Sequence, residues 1–395
     1  MSSRSLPADK NKTPIVQEVI PFNVPYTTGL EFVYMPQAVT NKHTAGDGPF
    51  SFQCKGWIEK STGVLHTLMV NSCTSALEIA ALLLELKPGD EVIMTPYTYV
   101  ATANAVVKAG GVPVFVDIRP DTLNIDEGKI EEAINERTKA ILVVHYSAVA
   151  CEMDTIVSIA QKHNLVLIED AAHCIFSSYK GVELGTIGQL STFSFHETKN
   201  LCCGEGGALN VNLEKYYRRA EIIRHGGTNR ARFIRGEVDK YTWVDVGSAY
   251  MMSDLNAAYL WGQFCRADQI LHARTRLWQR YHQNLQEGED QGLFRRPVVP
   301  TECIHNGHLY YLLFHSREER DFVIRYMSER GIHPVSHYMP LHDSEGGRKF
   351  GKTCGVLQNA SDLPHRLLRL PLFVSMADRQ QDRVVEILYE GMLKR

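Results

Sequence analysis

Three separated stretches of the sequence carry side chains whose chemistry is complementary. The first is a small polar turn, residues 71–76 (NSCTSA), which opens an apolar segment of helical character. Backbone N–H groups and hydroxyls at such a turn, including those of Thr74 and Ser75, could bind a phosphate at the positive end of the helix dipole. Serine and threonine also cap helices routinely, and for this turn taken alone a cap is the simpler interpretation.

A carboxylate and a lysine follow at the ends of two later apolar runs. Asp170 closes the run LVLIED, and a buried carboxylate needs a partner because an unpaired buried charge is costly. A protonated pyridine nitrogen would be such a partner, and a salt bridge or a helix cap is the alternative. Lys199 comes 29 residues later, after Ser194 and before the glycine-rich turn 204–207. Burial there would lower the pKa of Lys199, as a Schiff-base amine requires.

These side chains lie at the ends of apolar runs that alternate with segments of helical periodicity. The alternation predicts a parallel sheet whose strands are covered on both faces by crossover helices. Ligands bind at the carboxyl ends of strands in such sheets, so we expect one site to collect the turn 71–76, residues 96–99, residues 145–146 and Asp170. The runs, each with its helical segment, are VLHTLMV and TSALEIAALLLEL, EVIMT and YVATANAVVKAG, VPVFVD and IDEGKIEEAINE, KAILVVHY and MDTIVSIAQKHN, and finally LVLIED.

The chain is long enough for two domains, because 395 residues exceed the roughly 250–300 at which a single core stops growing. The runs STFSFH (191–196) and ALNVNL are predicted to add strands to the same sheet. A helical pattern over 253–286 would link this sheet to a small α+β domain. We therefore expect a polar N-terminal tail at 1–20, a large domain at 21–265, and a linking helix with a small C-terminal domain at 266–395.

Composition and charge favour a reduced, cytoplasmic protein. The chain is 44% hydrophobic and 22% charged with a net charge of −3, so no basic field indicates a nucleic-acid or membrane partner. The nine cysteines are scattered and contain no C-x-x-C pair, which argues against a disulfide framework and against a metal site. The polar first twenty residues do not read as a signal peptide, and no apolar run approaches the ~20 residues that span a bilayer.

The ordered set of motifs resembles the DegT/DnrJ/EryC1/StrS sugar aminotransferases. The resemblance runs from about Pro21 to Phe373, and several long motifs in one order are far more specific than any lone pattern. It implies an α/β fold of the fold-type I class of pyridoxal-phosphate (PLP) enzymes: a large domain with a mostly parallel central sheet, and a smaller C-terminal α+β domain. The motifs that carry it are PGDEVI, VPVFVDIRPDT, VVHYSAVACEMD, IEDAAH, FSFHETKN, GEGGA and SDLNAAYL.

The resemblance also implies a role for each site residue. Lys199 would bind PLP as a Schiff base and then carry the transferred proton, and Asp170 would pair with the pyridine nitrogen. His173 would lie near the phenolic oxygen, and Tyr99 would stack on the ring. The phosphate would be held by Thr74, Ser75 and Ser194.

The resemblance further implies substrates and a partner subunit. L-glutamate would convert PLP to pyridoxamine phosphate (PMP), which would then aminate a keto sugar linked to a nucleotide, dTDP in our interpretation. A homodimer with the active site at the subunit interface is also implied. Many members place an asparagine from the neighbouring subunit near the phosphate where this chain has Met251. Ser248 or Tyr250 could replace that contact.

Weaker signals concern the substrate. Six arginines lie between 218 and 235, and arginine forks suit a nucleotide diphosphate. A solvated helix and loop is the simpler account of Arg218 and Arg219, whereas Arg230, Arg232 and Arg235 lie in a polar loop and are the better candidates. A later segment resembles a substrate-side loop, and buried structural histidines are the competing interpretation of it. Its candidate residues are His337, Tyr338 and His342.

Three other functions are compatible with parts of the pattern. A sugar C3 dehydratase of the same family carries histidine in place of the Schiff-base lysine, so Lys199 argues against it. A non-catalytic sugar-binding relative is disfavoured by the intact set of Asp170, Ser194 and Lys199. An NAD-dependent dehydrogenase, suggested by the βα alternation, would need a G-x-G-x-x-G turn after the first strand, which the sequence lacks.

Overall fold

A computed structural model describes residues 18–394. Most of the predicted polar tail, residues 1–17, lies outside the described residues. Ile20, at the end of the predicted tail, is fully buried, and its N–H donates to the carbonyl of Gly331 at 2.7 Å. Residues 18–20 therefore pack against the C-terminal part of the chain.

An eight-stranded sheet organises the larger part of the protein. Its strand order is β1-β9-β8-β5-β4-β2-β3-β12, and every neighbouring pair is parallel except the two pairs made by β9. The predicted strands all form, and β8 and β9 extend the same sheet as expected. Two small sheets, β10-β6-β7 and β11-β13, complete the set. The strands are β1 (His66–Val70), β2 (Glu91–Met94), β3 (Val112–Phe115), β4 (Thr138–Val144), β5 (Val166–Asp170), β6 (Ser178–Tyr179), β7 (Val182–Glu183), β8 (Leu190–Ser194), β9 (Gly207–Val211), β10 (Cys303–Ile304), β11 (Tyr310–Leu313), β12 (Lys352–Thr353) and β13 (Leu367–Leu370).

Helices cover both faces of the large sheet and most of the remaining chain. They are α1 (Glu31–Thr40), α2 (Pro49–Thr62), α3 (Cys73–Leu83), α4 (Val100–Lys108), α5 (Met153–Lys162), α6 (Glu214–Arg224), α7 (Arg230–Ile234), α8 (Asp254–Phe264), α9 (Ala267–Asn284), α10 (Gln286–Asp290), α11 (Arg317–Ser328), α12 (Glu345–Phe350), α13 (Gln358–Asp362) and α14 (Asp378–Leu393). None of the described helices is long and apolar enough to cross a membrane.

The apolar residues separate into three cores. Side chains alternate across a strand, so Ile93 of β2 packs into one core while its neighbours Val92 and Met94 pack into the core on the opposite face. The third core joins α9 to β11, β13, α11 and α14. This third core belongs to the C-terminal part of the chain, and it faces the carboxyl ends of the parallel strands across a cavity.

Two predicted helices are wrong in detail. The pattern over 253–286 forms two main helices, α8 and α9, because the chain leaves helical geometry at Arg266 (φ −127°, ψ 19°). Helix α8 packs on α1 and α2, the first turns of α9 remain in the same core, and only its later turns pack in the C-terminal core. The segment IDEGKIEEAINE forms only two single 3₁₀ turns, at Glu127–Lys129 and Glu131–Ala133.

Candidate active site

A cavity of about 780 Å³ lies between the carboxyl ends of the parallel strands and the C-terminal core. It collects most of the residues that the sequence singled out, although they are spread over more than 260 positions. Those that line it are Thr74, Tyr99, Asp170, His173, Ser194, Lys199, His337 and Tyr338.

The polar turn before α3 forms one wall of the cavity. Ser72 is the N-cap of this helix, and its hydroxyl accepts the N–H of Ser75 at 3.1 Å. Cys73 and Thr74 line the cavity beside it, so the positive end of an eleven-residue helix faces the empty space. Strand β9 passes directly behind, and a Cβ at Gly207 would lie 2.5 Å from the backbone nitrogen of Cys73. Only glycine permits that approach.

Asp170 lies at the end of β5, nearly buried, with a fixed orientation. One carboxylate oxygen accepts the hydroxyl of Thr102 at 2.9 Å, and the other accepts the N–H of Ala172 at 3.2 Å. Burial raises the pKa of Asp170, while the hydrogen bond from Thr102 and the charge of Lys199 oppose that rise. A cationic ring nitrogen placed against this carboxylate would offset its desolvation.

Lys199 lies in the turn that joins β8 to β9. Register pairs Asp170 with Thr192 on the adjacent strand β8, so the lysine emerges beside the carboxylate. Within residues 18–394, the amine of Lys199 has no hydrogen-bond or ion-pair partner, and Lys199 is the only lysine that lines the cavity. Burial is the main cause of its lowered pKa. A lowered pKa increases the fraction of neutral amine available for a Schiff base.

Two stacked histidines form the floor of the cavity. The rings of His173 and His308 lie 4.2 Å apart, and burial lowers the pKa of both well below the usual value, which keeps them neutral. His308 is fixed by its Nδ1, 3.0 Å from the side-chain oxygen of Asn200, the residue after the lysine. The buried Nδ1 of His173 has no partner among the described residues. The residue itself lines the cavity.

The opposite wall comes from the C-terminal part of the chain. The Nδ1 of His337 lies 3.1 Å from the hydroxyl of Tyr146, and its carbonyl accepts the hydroxyl of Tyr97 at 2.6 Å. The ring centroids of His337 and Tyr338 lie 3.5 Å apart, with the rings tilted by 32°. Arg369 of β13 also lines this wall. Thr102, His308 and Arg369 were not predicted because none belongs to a motif that suggested a ligand, and Ser72 lies in the predicted turn 71–76 without having been named there. The helix-cap pattern could have pointed to Ser72.

Several predicted residues lie away from the cavity lining. The hydroxyl of Ser75 donates to the side-chain oxygen of Asn71 at 2.5 Å, so it serves the helix cap. The Nε2 of His342 lies 2.9 Å from the hydroxyl oxygen of Ser361. Arg230 and Arg232 are exposed on α7, and Arg232 pairs with Glu237 at 3.2 Å.

Three residues were considered for the contact with the phosphate, and all three lie outside the cavity lining: Ser248, Tyr250 and Met251. The carbonyl of Tyr250 accepts the N–H of Asn71 at 2.8 Å, and Met251 bridges to Val70, so this segment runs alongside the phosphate turn. The hydroxyl of Tyr250 donates to Glu78. Neither Tyr250 nor Ser248 lines the cavity.

The residues present fit PLP. A helix start with hydroxyls suits its phosphate, a buried carboxylate suits its ring nitrogen, and an unpartnered lysine suits its aldehyde. The model of the DegT/DnrJ/EryC1/StrS aminotransferase family matches residues 31–389, nearly the whole chain. The chain belongs to this family. It is a PLP-dependent sugar aminotransferase of the fold-type I class, and PMP is the second form of its cofactor.

Two curated relatives cover almost the full length of this family member. The spore coat polysaccharide biosynthesis protein SpsC of Bacillus subtilis is 35% identical over 92% of this chain and 95% of its own. The GDP-perosamine synthase of Caulobacter vibrioides is 32% identical over 92% of this chain and 96% of its own. Among solved structures, Spr1654 of Streptococcus pneumoniae, assigned as a sugar aminotransferase, superimposes with a TM-score of 0.88 at 26% identity over 95% of this chain and 98% of its own. That protein was solved in apo, PLP and PMP forms.

Proposed function

We propose that this aminotransferase transfers the amino group of L-glutamate to C4 of dTDP-4-keto-6-deoxyglucose in the cytoplasm. The product would be dTDP-4-amino-4,6-dideoxygalactose. Within the family, the stretches FHETKN, VDKYTW and HYMPLH resemble the transaminase that makes this sugar. The reaction would follow a ping-pong scheme, because a single cavity holds the lysine and must admit donor and acceptor in turn.

The observation that carries the proposal is the unpartnered amine of Lys199 beside the buried Asp170. PLP supplies an electron sink for the carbon that gains or loses its amino group. Lys199 would bind the cofactor and then move a proton to or from that carbon, a role that needs an amine free of other partners. Asp170, held by Thr102, would keep the ring nitrogen protonated.

The remaining site residues would position the cofactor and the sugar. Ser72, Thr74 and Ser194 would bind the phosphate, with Ser75 supporting the turn through its cap. Tyr99 would stack on the ring, and His173, which lines the cavity, would lie near the phenolic oxygen. His337 and Tyr338 would contact the sugar, whereas His342 would act only by supporting that segment.

A homodimer is part of the proposal. Apolar side chains are exposed on α1, α2 and the segment after α7, and Trp243 is 81% exposed. Large exposed apolar groups mark interaction surfaces. Arg230 and Arg232 lie outside the cavity of their own chain, so they would reach a substrate diphosphate only in the partner's site.

The test is incubation of the purified enzyme with L-glutamate and dTDP-4-keto-6-deoxyglucose, followed by NMR of the product. We expect a C4 amine with the small H3–H4 coupling of an axial substituent. A C3 amine, an equatorial C4 amine or loss of the C3 hydroxyl without amination would refute the assigned product. A GDP-linked keto sugar serves as the matched alternative, because one relative is a GDP-perosamine synthase. A preference for it would refute the nucleotide assignment.

A further inference from the structure

A buried hydrogen-bond network holds the loop that carries His308. The side-chain nitrogen of Asn200 donates to the carbonyl of Asn306 at 2.9 Å, and its side-chain oxygen lies 3.0 Å from the Nδ1 of His308. The side-chain nitrogen of Asn306 in turn donates to the carbonyl of His173 at 2.6 Å. The loop is therefore bound both to the residue after the Schiff-base lysine and to the segment that follows β5.

The same loop is held by Arg274 of α9. Arg274 is buried, and its guanidinium donates to the carbonyls of Gly307 and His308. Gly307 has a φ of +64°, and a Cβ there would lie 2.9 Å from the carbonyl carbon of Arg274. Only glycine tolerates this close left-handed turn. The position of the His308 ring is thus fixed through its backbone as well as through its side chain.

The network determines which nitrogen of His308 carries a proton. The side-chain oxygen of Asn200 would be repelled by the carbonyl oxygen of Asn306, so it is the oxygen that faces His308 and the Nδ1 that donates. Burial lowers the pKa of His308 well below its usual value, which leaves the Nδ1–H as the only N–H of a neutral ring. The other charged or titratable groups that face this ring are those of His173, Lys199, Arg274 and His337.

The ring of His308 supports the ring of His173. The two centroids lie 4.2 Å apart with the planes 28° from parallel, whereas Tyr146 and His337, the other aromatic neighbours of His173, lie at 6.3 and 6.4 Å. The buried Nδ1 of His173 has no partner among residues 18–394. The stack on His308 is therefore the closest aromatic contact that orients this imidazole.

We infer that His308 is a positioning residue: its ring, locked by Asn200, holds the imidazole of His173 in the orientation in which it donates to the phenolic oxygen of the cofactor. The inference rests on the role proposed above for His173. Burial, with the charges of Lys199 and Arg369, keeps His173 neutral, so it has a single N–H. At the buried Nδ1 that N–H would have no acceptor, which places the proton on Nε2.

The expected signature is a change in the pKa of the Schiff base at Lys199. A hydrogen bond from His173 favours the anionic form of the phenolic oxygen and spreads its charge. The neighbouring Schiff-base nitrogen is then less strongly stabilised in its protonated form, so its pKa is lower. If the imidazole of His173 loses its orientation, this pKa should rise. A loss of packing elsewhere in the protein would leave it unchanged.

The test is a pH titration of the visible absorbance of the holoenzyme without substrates. His308→Ala removes the stack, and the pKa of the Schiff base should rise by about 1 pH unit, as in His173→Ala. His308→Gln keeps a group that hydrogen-bonds to Asn200 but has no ring, and it should behave like His308→Ala. His308→Phe keeps a ring without that hydrogen bond and should recover at least about half of the shift.

His305→Ala is the matched control. His305 lies in the same loop, its Nδ1 accepts the N–H of Gly307 at 3.1 Å, and it does not line the cavity. The variant loosens the loop without touching the stack, so the pKa of the Schiff base should stay at its wild-type value. If His308→Ala does not fold, the comparison of His308→Gln with His308→Phe gives the same test.

A second measurement uses the apoprotein and needs no cofactor. The ¹⁵N chemical shifts of the imidazole nitrogens should show His308 protonated at Nδ1 and His173 protonated at Nε2 near neutral pH. The signals are assigned by their loss in the alanine variants. In Asn200→Leu, which removes the acceptor, His308 should populate both neutral tautomers.

The outcomes distinguish the two proposals. If His173→Ala titrates like wild type, the proposed role of His173 fails and the inference fails with it. If His173→Ala shifts the pKa but His308→Ala does not, or if His305→Ala shifts it as much, the inference alone is overturned. A shift in His308→Phe as large as that in His308→Ala would also overturn it, as would an Nε2–H tautomer of His308 in wild type.

Discussion

Replacement of Lys199 tests the central assignment most directly. Lys199→Arg keeps a positive charge of similar length, and Lys199→Met keeps the apolar stem without a charge. Among residues 18–394, no other lysine lines the cavity and could replace the lost amine. General acid–base catalysis contributes about 10²–10⁴-fold, or roughly 3–5 kcal/mol of barrier, and the covalent link to the cofactor is lost as well. We expect both variants to lose at least about 10⁴-fold in the donor half-reaction.

A measurement of stability distinguishes a variant that has lost only the amine of Lys199 from one that no longer folds. The pKa of Lys199 is lower in the folded protein than in the unfolded chain, so this residue opposes folding at pH values below its unfolded pKa, neutral pH included. Lys199→Met should therefore leave the apo-protein as stable as wild type or more stable, as measured by urea unfolding. A variant that retains a tenth of wild-type half-reaction rate, measured by stopped-flow absorbance, would refute the assignment of Lys199.

Further results are expected from variants at four other sites. Asp170→Asn should slow the donor half-reaction by about 100-fold. Thr102→Val removes the 2.9 Å hydrogen bond to Asp170 and should slow the same half-reaction by about 10-fold, whereas Thr102→Ser, which keeps a hydroxyl, should hardly change it. Burial lowers the pKa of His305 to about 4. Because the unfolded chain binds the proton first, the free energy of unfolding of wild type should fall by about 3 kcal/mol through this group as the pH decreases from 6.5 toward 4. His305→Gln should remove that part of the pH dependence, as measured by urea unfolding. Trp243→Asp should shift the protein toward monomer in light scattering, and an unchanged dimer would exclude Trp243 from the interface.

Much of the fold was predictable because its signals are local. Apolar runs that alternate with helical periodicity predict strands and crossover helices, and the carboxyl-end rule places the site before any chemistry is named. The two wrong helices show where local signals end. The pattern over 253–286 remains periodic across Arg266, and only packing against two different cores breaks it.

The order of the polar turn, Asp170, Ser194 and Lys199 was enough for the sequence to predict the family and its cofactor. Tertiary structure alone decided which neighbours these residues have. The register of β5 against β8 brings Lys199 beside Asp170, and α4 supplies Thr102 to hold the carboxylate. Arg369 reaches the cavity from a strand 170 positions after Lys199. A buried charge without a partner is a property of three-dimensional surroundings, and no local pattern in the sequence records it.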